Sequence, residues 1–318
     1  MAANGHAEDY DELLDFAYSL AEQATALILK RSSERWVKTS VAEAKKNTID
    51  LVTETDQEVE ELIKREVSER YAEHKFIGEE TYEKEGTCTL TEEYTWIVDP
   101  IDGTMNFVHG NPFVACSIGV LHRKRPIVGV IAQPFLGRIF SARLGGGAFM
   151  NRTTPLPLTG GIPQPLDKLS DCIFSAEWGS DRSAKVLKAR SESFVKLAGD
   201  PTKGSEGGKM CHALRTTGSS ACSIVMVAAG EIDIYWDAGC YAWDVAAGAV
   251  IVPEAGGFFS GGKDGFRGNI SLGDAVMSRR YVFVRGVQPS QDEEPRQIQE
   301  RLVEELYDTV TEWTTSDM

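Results

Sequence analysis

Twelve residues, Trp96-Ile-Val-Asp-Pro-Ile-Asp-Gly-Thr-Met-Asn-Phe107, constrain this chain more than any other stretch. The apolar opening predicts a short strand that delivers Asp99 to its C-terminal end, where ligands bind in open sheets. Pro100 stiffens the next step, and the turn then brings Asp102 beside Asp99. Two carboxylates facing one point repel, and one takes up a proton unless a cation intervenes. Oxygen-only ligands suit a hard divalent ion such as Mg2+. Gly103 permits a close turn, and Thr104 opens a short helix whose free N–H groups favour an anion such as phosphate. Metal and phosphate on one turn make a phosphoryl-transfer arrangement. A solvated turn is the competing reading, because 48 acids in 318 residues give about seven acid pairs at this spacing by chance.

Three further acidic points belong with this one. Phe76-Ile-Gly-Glu-Glu80 ends an apolar strand in Glu79 and Glu80, which also fit a solvated surface. Trp243-Asp244 stands at the start of an apolar helix, where Asp244 fits a helix cap, a metal ligand or both. Asp56, near another helix start, is a candidate partner for the Thr104 hydroxyl, which it would help to take a proton from water.

Other chemistries are excluded. No G-x-G-x-x-G, G-x-S-x-G or HExxH occurs. Gly257-Phe-Phe-Ser-Gly-Gly-Lys263 has Walker-like spacing, but Asp264 stands where Ser or Thr is needed. The five histidines lack zinc-ligand spacing. A net charge of −15 leaves no basic face for nucleic acid and no polybasic stretch for a membrane surface. The longest apolar runs, Ser223–Ala229 and Val245–Val252, are far too short to span a bilayer. The acidic N-terminal residues are unlike a signal peptide, and the six cysteines show no paired spacing, so a cytoplasmic chain with reduced thiols is expected.

Apolar spacing of three and four predicts helices over Asp11–Lys30 and Thr53–Tyr71, the second opened by a capping box of Thr55 and Glu58. Short strand-like runs follow to Ala142. The Pro-rich stretch Asn151–Lys168 is the expected boundary between an α+β unit, residues 1–155, and an α/β unit, residues 156–318. Beyond it the expected strands are Cys172–Ala176, Ile232–Trp236 and Tyr281–Arg285, and the expected helices Ser219–Ala229, Asp244–Val252 and a terminal one through Trp313. Gly199–Met210 reads as a mobile surface loop. The alternation predicts an α/β fold of stacked layers.

Taken together, Ile49-Asp-Leu-Val-Thr-Glu-Thr-Asp56, Phe76–Glu80, Trp96–His109 and Trp243–Gly248 resemble the inositol monophosphatase family in order and approximate spacing. The resemblance implies a layered αβαβα sandwich of the inositol monophosphatase and fructose-bisphosphatase type, a homodimer and lithium sensitivity. It implies a phosphomonoesterase acting on a small polyol or inositol monophosphate with two or three Mg2+ ions. Glu79, Asp99, the Ile101 carbonyl, Asp102 and Asp244 would then hold the metals, with Asp99 bridging two. Thr104 and Asp56 would orient the attacking water, and the Gly103 and Thr104 N–H groups would hold the phosphate. Lys45 aligns with a lysine near the family's metal site, or is one more solvated lysine. Ser219, Ser220 and Asp237 fall where the family contacts the substrate ring. Ser220 replaces a usual alanine, Asp237 a glutamate and Tyr241 a histidine. Met105, where threonine is commoner, is similar to fungal members, some linked to quinate utilisation. Bisphosphate nucleotidases and sugar bisphosphatases share the metal core and stand as alternatives, as does a non-catalytic protein that kept the fold.

Overall fold

A computed structural model describes residues 10–37, 43–44, 51–86 and 89–313; Lys45 lies outside them. Helix α1 (Tyr10–Val37) and α2 (Glu54–Arg70) are joined through a two-residue ribbon, β1 (Glu43–Ala44) and β2 (Leu51–Val52). Seven strands follow: β3 (Lys75–Gly78), β4 (Thr95–Asp102), β5 (Ala115–His122), β6 (Arg125–Gln133), β7 (Arg138–Arg143), β8 (Ala148–Met150) and β9 (Thr154–Pro155). They form one sheet in sequential order, antiparallel except for the parallel pair β3 and β4. Helices α3 (Glu79–Glu85) and α4 (Thr104–His109) spring directly from the ends of β3 and β4.

The second sheet has the order β11-β10-β12-β14-β13. Its strands are β10 (Ile173–Ser175), β11 (Ala213–Arg215), β12 (Ile234–Ala238), β13 (Phe258–Gly261) and β14 (Arg280–Val284). Around it run α5 (Ala184–Ala198), α6 (Ser220–Ala229), α7 (Ala242–Val245), α8 (Gly248–Glu254), α9 (Lys263–Gly268), α10 (Leu272–Met277) and α11 (Pro295–Thr309). Among the described residues no helix is long and apolar enough to cross a membrane.

The strand period of two sorts the side chains into three cores and so defines five layers. Trp96 and Val98 of β4 pack against α1 and α2. Ile97, between them, faces α6, α7 and α8, which form the middle layer against Tyr235 and Phe283 of the second sheet. Trp236 of β12 turns the other way, into a core with Val186 of α5 and Leu302 of α11. By the same alternation Asp99, two residues after Ile97, and Asp237, two after Tyr235, belong to the faces that meet the middle layer. The expected boundary falls between the two sheets, yet the core around α6 to α8 is shared by both.

Several local expectations are corrected. The capping box of α2 is formed by Thr53 and Asp56, not Thr55 and Glu58: Thr53 is the N-cap, and its N–H donates to Asp56 Oδ2 at 3.0 Å. The helix expected over Asp244–Val252 is divided into α7 and α8. Its break packs on the first sheet so closely that a Cβ on Gly129 would stand 2.2 Å from the Ala247 carbonyl oxygen. The segment Gly199–Met210 lies largely on the surface, as expected, and is tied back to the end of α5 by the Lys209 N–H, which donates to the Lys196 carbonyl. Sequence reading missed α5, whose buried face includes Arg190 and Ser193 among its apolar residues, and α9 and α10, which at six residues each are too short to show a helical period.

Candidate active site

Three carboxylates converge in the middle of the molecule. Oxygens of Asp99, Asp102 and Asp244 lie within 4.8 Å of one another. Asp99 and Asp102 come from the end of β4, where the ladder to β5 is irregular between them. Asp244 comes from the first turn of α7, and its Oδ2 accepts the Tyr241 N–H at 2.5 Å. The helix-cap and cluster roles of Asp244 therefore coexist.

Burial pushes the Asp99 carboxyl well above the usual carboxylate range, and the charges of Glu79, Asp102 and Asp244 push it further. Asp244 is raised by loss of solvent and then by Asp102. Asp102 is raised by burial against the opposing pull of Ser219 and the backbone N–H of Ala221. Glu79 stands outside the tight trio, on the first residue of α3, close enough for its charge to be felt by Asp99 and Asp244. That helix start is held by Glu60 of α2, whose carboxylate accepts the N–H groups of Glu80 and Thr81, each at 2.8 Å.

A cation fits this donor set. Asp99 Oδ1 is buried and accepts no hydrogen bond among the described residues. An orphaned acceptor among repelling acids is what a hard divalent ion would satisfy.

Beside the trio, the Thr104 hydroxyl lies 3.0 Å from Asp56 Oδ1 and 3.0 Å from the Ile101 carbonyl oxygen. Gly103 precedes α4 at φ +85, and a side chain there would press on the Phe113 and Gly218 carbonyls. Asn106 bridges the same loops, donating to the Phe113 and Thr217 carbonyls. Thus Ile101, Gly103 and Thr104 form one turn against the acids, and Asp56 of α2 is tied to it through Thr104.

Among the substrate candidates, Ser219 is the N-cap of α6, accepting the Cys222 N–H at 3.1 Å while its hydroxyl donates to Asp102 Oδ2. Ser220 is the first residue of the helix, buried near Tyr235 and Cys240. Asp237, at the end of β12, is 3% exposed and paired with Arg190 of α5. Tyr241 stacks on Trp243 with ring centroids 4.5 Å apart. Sequence reading missed Glu60, Arg190 and Glu177. Glu177 accepts Thr217 N–H and Gly218 N–H, each at 2.9 Å, and so braces the loop before α6. Glu60 and Glu177 are buried acids that bind backbone N–H groups and hydroxyls of distant segments, and such partners leave no motif in the sequence.

Five layers with carboxylates gathered at strand and helix ends define a phosphatase-type site, and sequence comparison agrees. The model of the inositol monophosphatase family matches residues 9–310. Protein qutG of Emericella nidulans is 40% identical over 314 residues, covering 94% of this chain and 93% of its own. Quinic acid degradation cluster protein x of Neurospora crassa is 38% identical, covering 95% and 94% respectively. The solved IMPase of Thermotoga maritima superposes with a TM-score of 0.68 at 25% identity, over 93% of this chain and 98% of that one. The chain belongs to the inositol monophosphatase family, a family of metal-dependent phosphomonoesterases.

Proposed function

We propose that this chain hydrolyses the phosphate monoester of a small polyol with Mg2+ as cofactor. The observation that carries the reading is the trio Asp99, Asp102 and Asp244, with oxygens within 4.8 Å, beside the Thr104–Asp56 hydrogen bond. Glu79, Asp99, the Ile101 carbonyl, Asp102 and Asp244 would hold two or three ions. When bound, magnesium supplies a lowered pKa for water and charge stabilisation at the leaving oxygen.

The residues of the chain account for the rest. One hydroxyl hydrogen serves one acceptor at a time. With the Ile101 carbonyl committed to a cation, Thr104 donates to Asp56, leaving its lone pairs to orient the attacking water. Asp56, held by Thr53 and Thr104, is the proton acceptor of that pair. The free N–H groups of Gly103 and Thr104 at the start of α4 would hold phosphate oxygens. Ser219 keeps Asp102 turned toward the trio.

Lithium inhibition by competition at a weakly held metal position, a homodimer and a cytoplasmic setting belong to the same reading. Phosphate release is to be measured from inositol 1-phosphate, adenosine 3′,5′-bisphosphate and fructose 1,6-bisphosphate, with and without Mg2+. Magnesium-dependent release favouring the monophosphate is expected; preference for either bisphosphate overturns the substrate class. Asp99→Asn lowers turnover about a thousandfold with the fold intact, because it removes charge stabilisation in the transition state. Full activity in that variant sinks the mechanism.

A further inference from the structure

Behind Ser219, whose hydroxyl holds Asp102, lies a buried hydroxyl network with one acid in it. Glu177, just beyond the end of β10, is 7% exposed, and both its carboxylate oxygens are engaged. Oε1 accepts the Thr217 N–H and the Thr217 hydroxyl, each at 2.9 Å, and Oε2 accepts the Gly218 N–H at 2.9 Å. The Thr217 hydroxyl stands as close to two other acceptors, the Ser219 carbonyl and Ser223 Oγ, each at 2.8 Å. Ser219 in turn donates its N–H to Thr217 Oγ1 at 3.2 Å and its hydroxyl to Asp102 Oδ2. The titratable groups that feel the charge of Glu177 are Asp237 and Tyr235 of β12 and Cys222 of α6. Burial pushes the Tyr235 hydroxyl well above its ordinary range and the Cys222 thiol up to about 12, while Asp237 is paired with Arg190.

We propose that Glu177 is a positioning residue of the metal site: ionised, it clamps the turn Thr217–Ser219 that presents Asp102 to the cation, and a proton on it releases the clamp. The proposal rests on the metal-dependent reading above. Thr217 has a single hydroxyl hydrogen for its three acceptors. While Glu177 is ionised, that hydrogen and both N–H groups point at the carboxylate. A proton on Oε1, the oxygen with hydroxyl neighbours, is itself donated to Thr217 Oγ1, and the Thr217 hydrogen turns to the Ser219 carbonyl or to Ser223. The Ser219 carbonyl already accepts the Ser223 N–H at 3.1 Å. The Thr217 N–H is then left on a neutral hydroxyl oxygen, a weaker acceptor than a carboxylate. Burial pushes the Glu177 carboxyl up to about 7, so both forms are populated near neutral pH. Glutamine cannot replace the ionised form, because its amide sets an N–H against that of Thr217 or Gly218.

The test titrates Mg2+ alone into the whole chain in a calorimeter. Glu177→Gln is expected to bind within about twofold of wild type at about pH 6 and about tenfold more weakly at about pH 8. Asp99, Asp102 and Asp244 titrate in both chains and cancel in the comparison. A purely structural role would weaken the variant equally at every pH, which overturns the proposal, as does equal affinity throughout. Should Glu177→Gln fail to fold, the 13C carboxyl signal of Glu177 in the wild-type chain decides. Coupling between proton and cation is reciprocal, so a tenfold effect moves its midpoint down by about one pH unit when Mg2+ is added. Ser219→Ala cuts the turn from Asp102 and abolishes that movement. A midpoint that Mg2+ leaves in place overturns the proposal, and so does one that still moves in Ser219→Ala, which would be charge acting through space. A wild-type chain that binds no Mg2+ at any pH would instead defeat the metal-dependent reading itself.

Discussion

Glu177 shows how a single carboxylate links loop geometry to pH. It accepts from Thr217 and Gly218, the residues that lead into Ser219 and hence to Asp102. Burial outweighs these bonds and pushes its carboxyl up to about 7. The folded state therefore holds a proton that the unfolded state has lost once the pH exceeds 4.5, the ordinary value. Stability from this group falls as pH rises from there toward about 7, by about 3 kcal/mol in all. Glu177→Gln removes the titration. Denaturant melts in chelator are expected to show the variant gaining on wild type as pH rises through that window. A constant difference between the two chains across it would refute the assignment. The signal is invisible in sequence, where Glu177 is one of 48 acids.

At the level of elements, the site is a meeting of helix starts. Asp56 sits in the first turn of α2, Glu79 of α3, Thr104 of α4 and Asp244 of α7, while Asp102 accepts the Ala221 N–H of α6. The positive ends of these helices temper the crowding of acids without abolishing it. Their placement depends on close approach of backbone to backbone. Gly129 of β6 lies under the break between α7 and α8, so Gly129→Ala forces a Cβ to 2.2 Å from the Ala247 carbonyl. The expected cost is about 2 kcal/mol or more in a thermal melt, with weakened metal affinity because Asp244 moves with α7. A variant with wild-type melting and metal binding would mean that the contact is not rigid. Such a contact has no local signature, which is why the divided helix was not legible while its acid was. Asp99 and Asp102 could be read because an apolar strand, a proline and a glycine frame them. Asp237 could be read too, but only as an acid of the right place. Its pairing with Arg190 comes from a helix 47 residues earlier in the chain, and no spacing rule reaches across that interval.

For the molecule as a whole, both sheets and the helices between them press acids toward one point, and the fold is strained by that charge until a cation relieves it. Asp99, Asp102 and Asp244 are all raised by burial, and Asp99 and Asp244 further by their neighbours. Without metal, the folded state binds protons there that the unfolded state releases above the ordinary value of 3.8. Stability of the metal-free chain therefore falls as pH rises from that point through the raised values. Magnesium, the cation proposed above, would bind the ionised form and compete with those protons, so its stabilising effect is expected to grow over the same range. At a concentration about a hundredfold above its dissociation constant it adds about 2.7 kcal/mol. For a chain of this size that corresponds to a rise in Tm of about 4 °C. The rise is expected to shrink toward acid pH and to vanish in Asp99→Asn, whose apo form melts higher than the wild-type apo form because one buried charge is gone. Thermal melts in chelator and in Mg2+ at several pH values measure all three effects. An identical Tm with and without the ion at every pH would show that the trio is held together by shared protons and that the layers were not assembled around a cation.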